Sequence, residues 1–119
     1  MKKCILVLGA GFGGLELCTM LSVAFGESID VTLIDKADFF VCGFSKLDVM
    51  FGHTTLDAVR LPYKKFVKTG ARLLKETITK VDPVARRVTT DRGTYETDFL
   101  VVALGVDFDF AATPGCCLY

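Results

Sequence analysis

Three observations predict an α/β fold with a parallel sheet. Lys3 to Leu8 and Phe99 to Leu104 are near-continuous apolar runs of strand length, as in strands covered on both faces. A glycine-rich turn and a helical pattern follow the first run. A second apolar, β-branched run, Ile29 to Asp35, comes after that helix. Two parallel strands need such a crossover between them.

The chain has 119 residues, enough for one domain spanning 1–119. Lysine plus arginine balance aspartate plus glutamate at 14 each, which removes the basic footprint of a nucleic-acid binder. Hydrophobic residues make up 51%, too many for disorder. No apolar stretch approaches the ~20 residues of a membrane span. Ten phenylalanines in a neutral chain of this size exceed what one small core hides, so a partner or a large ligand is expected.

The first strand is Lys3 to Leu8. Met1-Lys2-Lys3 before it has the look of a signal peptide, but the apolar run passes into Gly9-Ala10-Gly11-Phe12-Gly13-Gly14 without a cleavage site. A helix is expected from Phe12 or Gly13 to about Ala24, with Leu15, Cys18, Leu21 and Val23 inward. Gly26 caps it. The second strand is Ile29 to Asp35. Lys36 to Tyr63 is expected to be a phenylalanine-rich loop with short helices at Ser45 to Met50 and near Thr55 to Arg60. Pro62 opens a helical turn ending at Gly70.

The pattern then turns to β. Ala71 to Val81 is expected as one strand, followed by an Asp82-Pro83 turn. Arg86 to Thr90 pairs with Thr94 to Thr97 across Asp91-Arg92-Gly93, a small antiparallel meander. Phe99 to Leu104 closes the domain at Gly105. The five cysteines, Cys4, Cys18, Cys42, Cys116 and Cys117, show neither metal-ligand nor disulfide spacing. This predicts no metal and a reducing, cytoplasmic compartment. The single histidine, His53, has no catalytic partner at a recognised spacing and is expected at the surface or in packing.

Gly9-x-Gly11-x-x-Gly14 lies between a predicted strand and a predicted helix. Gly9 permits the tight turn, Gly11 the approach of a pyrophosphate, and Gly14 close helix–strand packing. The phosphate charge is taken by unpaired N–H groups at the helix N-terminus, so Phe12 and Gly13 join the candidate site. Asp35 ends the second strand about 20 residues past Gly14, where an acid accepts the ribose hydroxyls of an adenosine and repels a 2′-phosphate. Lys36 follows it toward the phosphates or ribose. These features define a Rossmann-like dinucleotide site.

The hairpin inserted before the strand Phe99 to Leu104 resembles the FAD domain of the pyridine nucleotide-disulfide oxidoreductase superfamily. Thr97 to Gly105 is similar to that superfamily's second fingerprint, with Leu104 in place of the usual threonine. The resemblance runs from Ile5 to about Gly115. It implies an FAD cofactor, adenine against the backbone near Ile78, and Ala103, Leu104 and Gly105 close to the cofactor. Asp38 to Ser45 is similar to a loop of flavocytochrome c sulfide dehydrogenases, with sulfide:quinone oxidoreductases and type II NADH dehydrogenases as near relatives. In that branch a cysteine at the position of Cys42 forms a thioether to the flavin; a free loop thiol is the alternative.

The resemblance leaves the domain incomplete relative to the family. The nicotinamide domain, the Gly-Asp motif and the interface domain are expected to be missing, and no catalytic residue is assigned. Cys116-Cys117 is expected to be an accidental terminus of a truncated or frameshifted gene rather than a redox pair. Three functions stay open. The chain is an FAD-binding fragment, a subunit of a split FAD-dependent oxidoreductase, or a non-catalytic fragment without a dinucleotide. A homodimer or higher homo-oligomer is expected to cover its apolar surface.

Overall fold

The computed structural model describes residues 1–66 and 70–115. Part of the turn expected between Pro62 and Gly70, residues 67–69, and the vicinal Cys116-Cys117 pair lie outside them. Strand β1 (Lys3–Leu8), helix α1 (Phe12–Phe25) and strand β2 (Ile29–Asp35) form the opening strand–helix–strand unit. A four-stranded sheet has the order β5-β2-β1-β9, where β5 is Ala71–Lys75 and β9 is Phe99–Val102. All three pairings are parallel, with Val7 opposite both Leu33 and Val101.

The side-chain alternation of a strand explains why the central strands are apolar throughout. Val7, Val31 and Leu33 face α1, where Cys18 and Ala10 meet them, and Tyr63 completes that cluster. Leu6, Leu8 and Ile34 face the other way and pack against Val88. Val88 belongs to a three-stranded antiparallel meander, β6 (Ile78–Asp82), β7 (Arg87–Thr90) and β8 (Thr94–Glu96). The result is three layers, helix, parallel sheet and meander.

The buried line of α1 is Gly14, Cys18 and Ser22, one every four residues. Val23, expected inward, is 83% exposed: Ser22 occupies the inward position one residue earlier, where a small side chain allows close approach to the sheet. Gly26 caps the helix as expected, its N–H donating to the Ser22 carbonyl.

Other expectations are corrected. Ala71 to Val81 is two strands, because Glu76 and Thr77 turn the chain out of the parallel sheet and into the meander. No helix forms near Thr55 to Arg60. Those residues make turns and then β4 (Arg60–Pro62), which pairs antiparallel with β3 (Phe39–Val41). Arg60 draws the ribbon together by stacking over the Phe39 ring, 4.6 Å from its centroid. Helix α2 (Ser45–Met50) forms where expected, and the structure places it between these two strands, which were expected as loop. The excess of phenylalanine is visible at the surface: Phe12, Phe25, Phe44, Phe51, Phe99, Phe108 and Phe110 are each more than half exposed. His53 is exposed beside Asp48 and Phe51.

Candidate functional site

The glycine turn is fixed by backbone contacts on both sides. Gly9 adopts φ +96°, a conformation that favours glycine. Its N–H donates to the Ile34 carbonyl at 2.8 Å, and a Cβ there would overlap the Ala103 carbonyl. A Cβ on Gly14 would overlap the Gly9 carbonyl itself. Gly11 differs: it has φ −76°, and a Cβ would enter open space. Gly11 is also the N-cap of α1, with no side-chain cap and no acidic residue in the first turn. The first-turn N–H groups, from Gly11 through Gly14, therefore keep their donor capacity for an anion.

Asp35 sits at the C-terminal end of β2, next to this turn. Its Oδ2 accepts the Ala10 N–H at 2.7 Å and its Oδ1 the Ala37 N–H at 2.8 Å. The carboxylate thus ties the glycine turn to the loop after β2, a task that sequence reasoning did not foresee. Each oxygen keeps a lone pair for a further donor. Behind this corner Tyr63 is buried; burial first, then the charges of Asp35 and Asp38, push its phenol up to about 12. Asp38 pairs with Lys75 Nζ at 2.7 Å, which holds its carboxyl below the usual value.

A cleft of about 620 Å³ opens along this corner. Gly9, Ile34, Asp35 and Lys36 form one wall, Glu76, Thr77 and Ile78 a second, and Leu104, Gly105, Val106 and Asp107 a third. The fold thus brings six of the anticipated residues into one cavity: Gly9, Asp35, Lys36, Ile78, Leu104 and Gly105. Gly105 has φ +71° with open space beside it. Ala103 does not line the cleft; its N–H donates to the Leu8 carbonyl at 2.8 Å. Cys42 is half-buried and outside the cleft. It follows β3, whose Phe40 ring meets the Phe12 ring edge-on at 4.8 Å. The loop of Cys42 therefore leaves from the N-terminal side of α1.

Two features of the second wall escaped the sequence. The first is backbone direction at Ile78. The Asp91 N–H donates to the Thr77 carbonyl at 3.0 Å, and Ile78 stands opposite Thr90. In an antiparallel ladder this makes Ile78 and Thr90 a non-hydrogen-bonded pair. The N–H and C=O of Ile78 therefore project from the free edge of β6, on the side of the cleft. The second is Glu76, a carboxylate only 8% exposed. Thr90 Oγ1 donates to its Oε2 at 2.6 Å, and Tyr95 Oη lies 2.8 and 2.9 Å from its two oxygens. The one sequence signal was a charge in the middle of an otherwise alternating run.

Among the described residues no cluster of histidine, cysteine, aspartate or glutamate is arranged to hold a metal ion. No helix there is long and apolar enough to cross a membrane. Cys4, Cys18 and Cys42 are free thiols.

No family model matches the chain. It is 35% identical over 106 residues to a type II NADH:quinone oxidoreductase of Staphylococcus epidermidis, covering 87% of this chain and 26% of that protein. Its fold is similar to the sulfide:quinone oxidoreductase of Aquifex aeolicus, with TM-score 0.79 and 26% identity over 91% of this chain and 25% of that one. An FAD-dependent pyridine nucleotide-disulphide oxidoreductase from Desulfovibrio vulgaris gives TM-score 0.52 and 25% identity, covering 88% of this chain and 25% of that one. The chain thus spans about a quarter of the length of these relatives. In sequence and fold it corresponds to an FAD-binding, Rossmann-type portion of the pyridine nucleotide-disulfide oxidoreductases, related to type II NADH:quinone and sulfide:quinone oxidoreductases.

Proposed function

We propose that the chain, as a single domain over 1–119, binds FAD through its adenosine and pyrophosphate half. The observation that carries this reading is one cleft joining the Gly9 turn, the Asp35 carboxylate and the strand edge at Ile78, with the uncapped N-terminus of α1 following that turn outside the cleft lining. The N–H groups of Gly11, Phe12, Gly13 and Gly14 would hold the pyrophosphate, Asp35 the ribose, and the Ile78 backbone the adenine. The turn at Gly9 and the segment Ala103, Leu104 and Gly105 leave room for the cofactor, and Lys36 offsets the charge of Asp35. The open space beside Gly11 and Gly105 favours this fit.

When bound, the flavin supplies the redox chemistry. The segments that would take a nicotinamide or a substrate are proposed to lie outside this chain. The corresponding full-length reaction is electron transfer from NADH or sulfide. Flavin orientation would fall to Phe12 and Phe40. Cys42 would hold the flavin through its sulfur as a thioether, a linkage whose formation releases two hydrogens and would need dioxygen as the oxidant. A homo-oligomer in the cytoplasm is the proposed setting, since so many aromatic side chains are exposed.

The test is an absorption spectrum of the purified chain after incubation with FAD, followed by acid precipitation. Flavin bands are expected, and Asp35→Asn is expected to weaken binding about tenfold, since a hydrogen bond to a charged group contributes ~1.5–3 kcal/mol. Colour that stays in the pellet and is lost in Cys42→Ala supports the thioether; colour in the supernatant removes it. No bands under any condition overturns the FAD reading.

A further inference from the structure

The buried carboxylate of Glu76 has no part in the assignments above, yet it stands at the corner of the cleft. Thr90 Oγ1 accepts the Arg92 and Gly93 N–H groups, each at 3.1 Å. A hydroxyl has one proton, and that of Thr90 points to Glu76 Oε2 at 2.6 Å. The Tyr95 hydroxyl, 2.8 Å from Oε1, supplies a second donor. Two donors and little solvent make Glu76 an acceptor on both oxygens, a node joining β7, β8 and the hairpin loop.

The backbone of the same corner is tied on both sides. The Glu76 N–H donates to the Asp35 carbonyl at 3.0 Å. The Thr77 N–H donates to Asp91 Oδ1 at 2.9 Å. One residue later the N–H and C=O of Ile78 project from the strand edge. The distance from the ribose acid, Asp35, to that backbone pair is thus set through Glu76.

Resting on the adenosine reading of the cleft, we propose that Glu76 is a positioning residue for base selection. Clamped by Thr90 and Tyr95, it holds the Ile78 N–H and C=O where they match the edge of adenine. Adenine presents an acceptor at N1 and a donor at its 6-amino group. Hypoxanthine presents a donor at N1 and an acceptor at position 6, the reverse on both atoms. A fixed N–H and C=O pair distinguishes the two; a loose one does not.

The experiment is calorimetric titration of the full chain with ADP and with inosine diphosphate, for the unsubstituted protein, Glu76→Gln and Tyr95→Phe. Tyr95→Phe removes one hydroxyl and keeps the ring, so it preserves the fold if Glu76→Gln does not. The unsubstituted chain is expected to prefer ADP about tenfold or more, the scale of two matched hydrogen bonds. Both variants are expected to lose ADP affinity roughly 3- to 10-fold with inosine diphosphate nearly unchanged. The preference then collapses toward unity while the melting temperature moves little. An ADP preference that survives in both variants, or a fall in melting temperature with the ratio intact, makes Glu76 merely structural and overturns the proposal. No preference in the unsubstituted chain overturns it too. Failure of that chain to bind ADP or FAD at all removes the adenosine site itself, and this proposal with it.

Discussion

The two walls of the cleft that meet at Asp35 are built from opposite kinds of sequence. The glycine-turn wall is set by contiguous patterns: Gly9 turns the chain directly after β1, and Ile34, Asp35 and Lys36 lie at the end of β2, which pairs with β1. The wall at Glu76 is made by residues far apart, since its partners Thr90 and Tyr95 lie 14 and 19 positions away. The first wall is organised by backbone, by glycine at the turn and by one carboxylate that accepts backbone N–H groups. The second is organised by side-chain hydroxyls closing on one carboxylate. A substitution in the first wall acts through steric overlap, and one in the second through a lost acceptor or donor.

The largest effect belongs to the first wall. Gly14→Ala places a methyl group on the Gly9 carbonyl, with Leu33 Cδ1 3.4 Å away on the other side. Neither neighbour yields easily, because Gly9 is already held by Ile34 and Leu33 is 2% exposed. The expected loss is about 3 kcal/mol, at the upper end for overpacking. Urea unfolding checks it; a midpoint within error of the unsubstituted chain would mean that the helix stands off the turn.

This contrast explains what the sequence disclosed. The parallel sheet, α1 and the glycine turn were legible because each depends on a contiguous pattern: apolar runs, helical spacing, glycine at fixed intervals. Helix α2 was legible for the same reason. The Arg60–Pro62 strand was not, since its pairing with Phe39–Val41 is non-local and two three-residue strands carry no period of their own. The break at Glu76 was missed because Ala71 to Val81 alternates plausibly across it, and only the tertiary partners of Glu76 mark the turn. Asp35 was found by its distance from the glycines, but its bonds to Ala10 and Ala37 were not, because they depend on side-chain direction at the end of a strand.

A smaller effect probes the first wall from behind. Tyr63 is packed near Asp35 and Asp38, and its phenol is pushed up from 10.0 to about 12. The folded state therefore holds the phenolic proton more tightly than the unfolded chain. Its contribution to stability is complete below pH 10.0 and is lost as pH rises through about 12. Melting curves of the unsubstituted chain are expected to fall across that window more steeply than those of Tyr63→Phe. Parallel curves would show that the phenol is not confined by the two carboxylates.

The smallest effect on the fold is expected at Gly11, and it separates packing from ligand contact within one motif. Gly11 has φ −76°, a conformation open to any residue, and a Cβ there meets no atom. Gly11→Ala should cost no more than about 1 kcal/mol, mostly from the weaker N-cap. The same methyl group, however, would stand over the first-turn N–H groups where the pyrophosphate is proposed to lie. Melting temperature should therefore stay within a few degrees, while FAD and ADP affinity fall roughly 5- to 150-fold, the ~1–3 kcal/mol of an overpacked contact. Gly14→Ala and Gly11→Ala then form a pair with inverted readouts, one striking the fold and the other the ligand. Unchanged affinity in Gly11→Ala would move the pyrophosphate away from the helix N-terminus, leaving the ribose contact of Asp35 to be judged by Asp35→Asn.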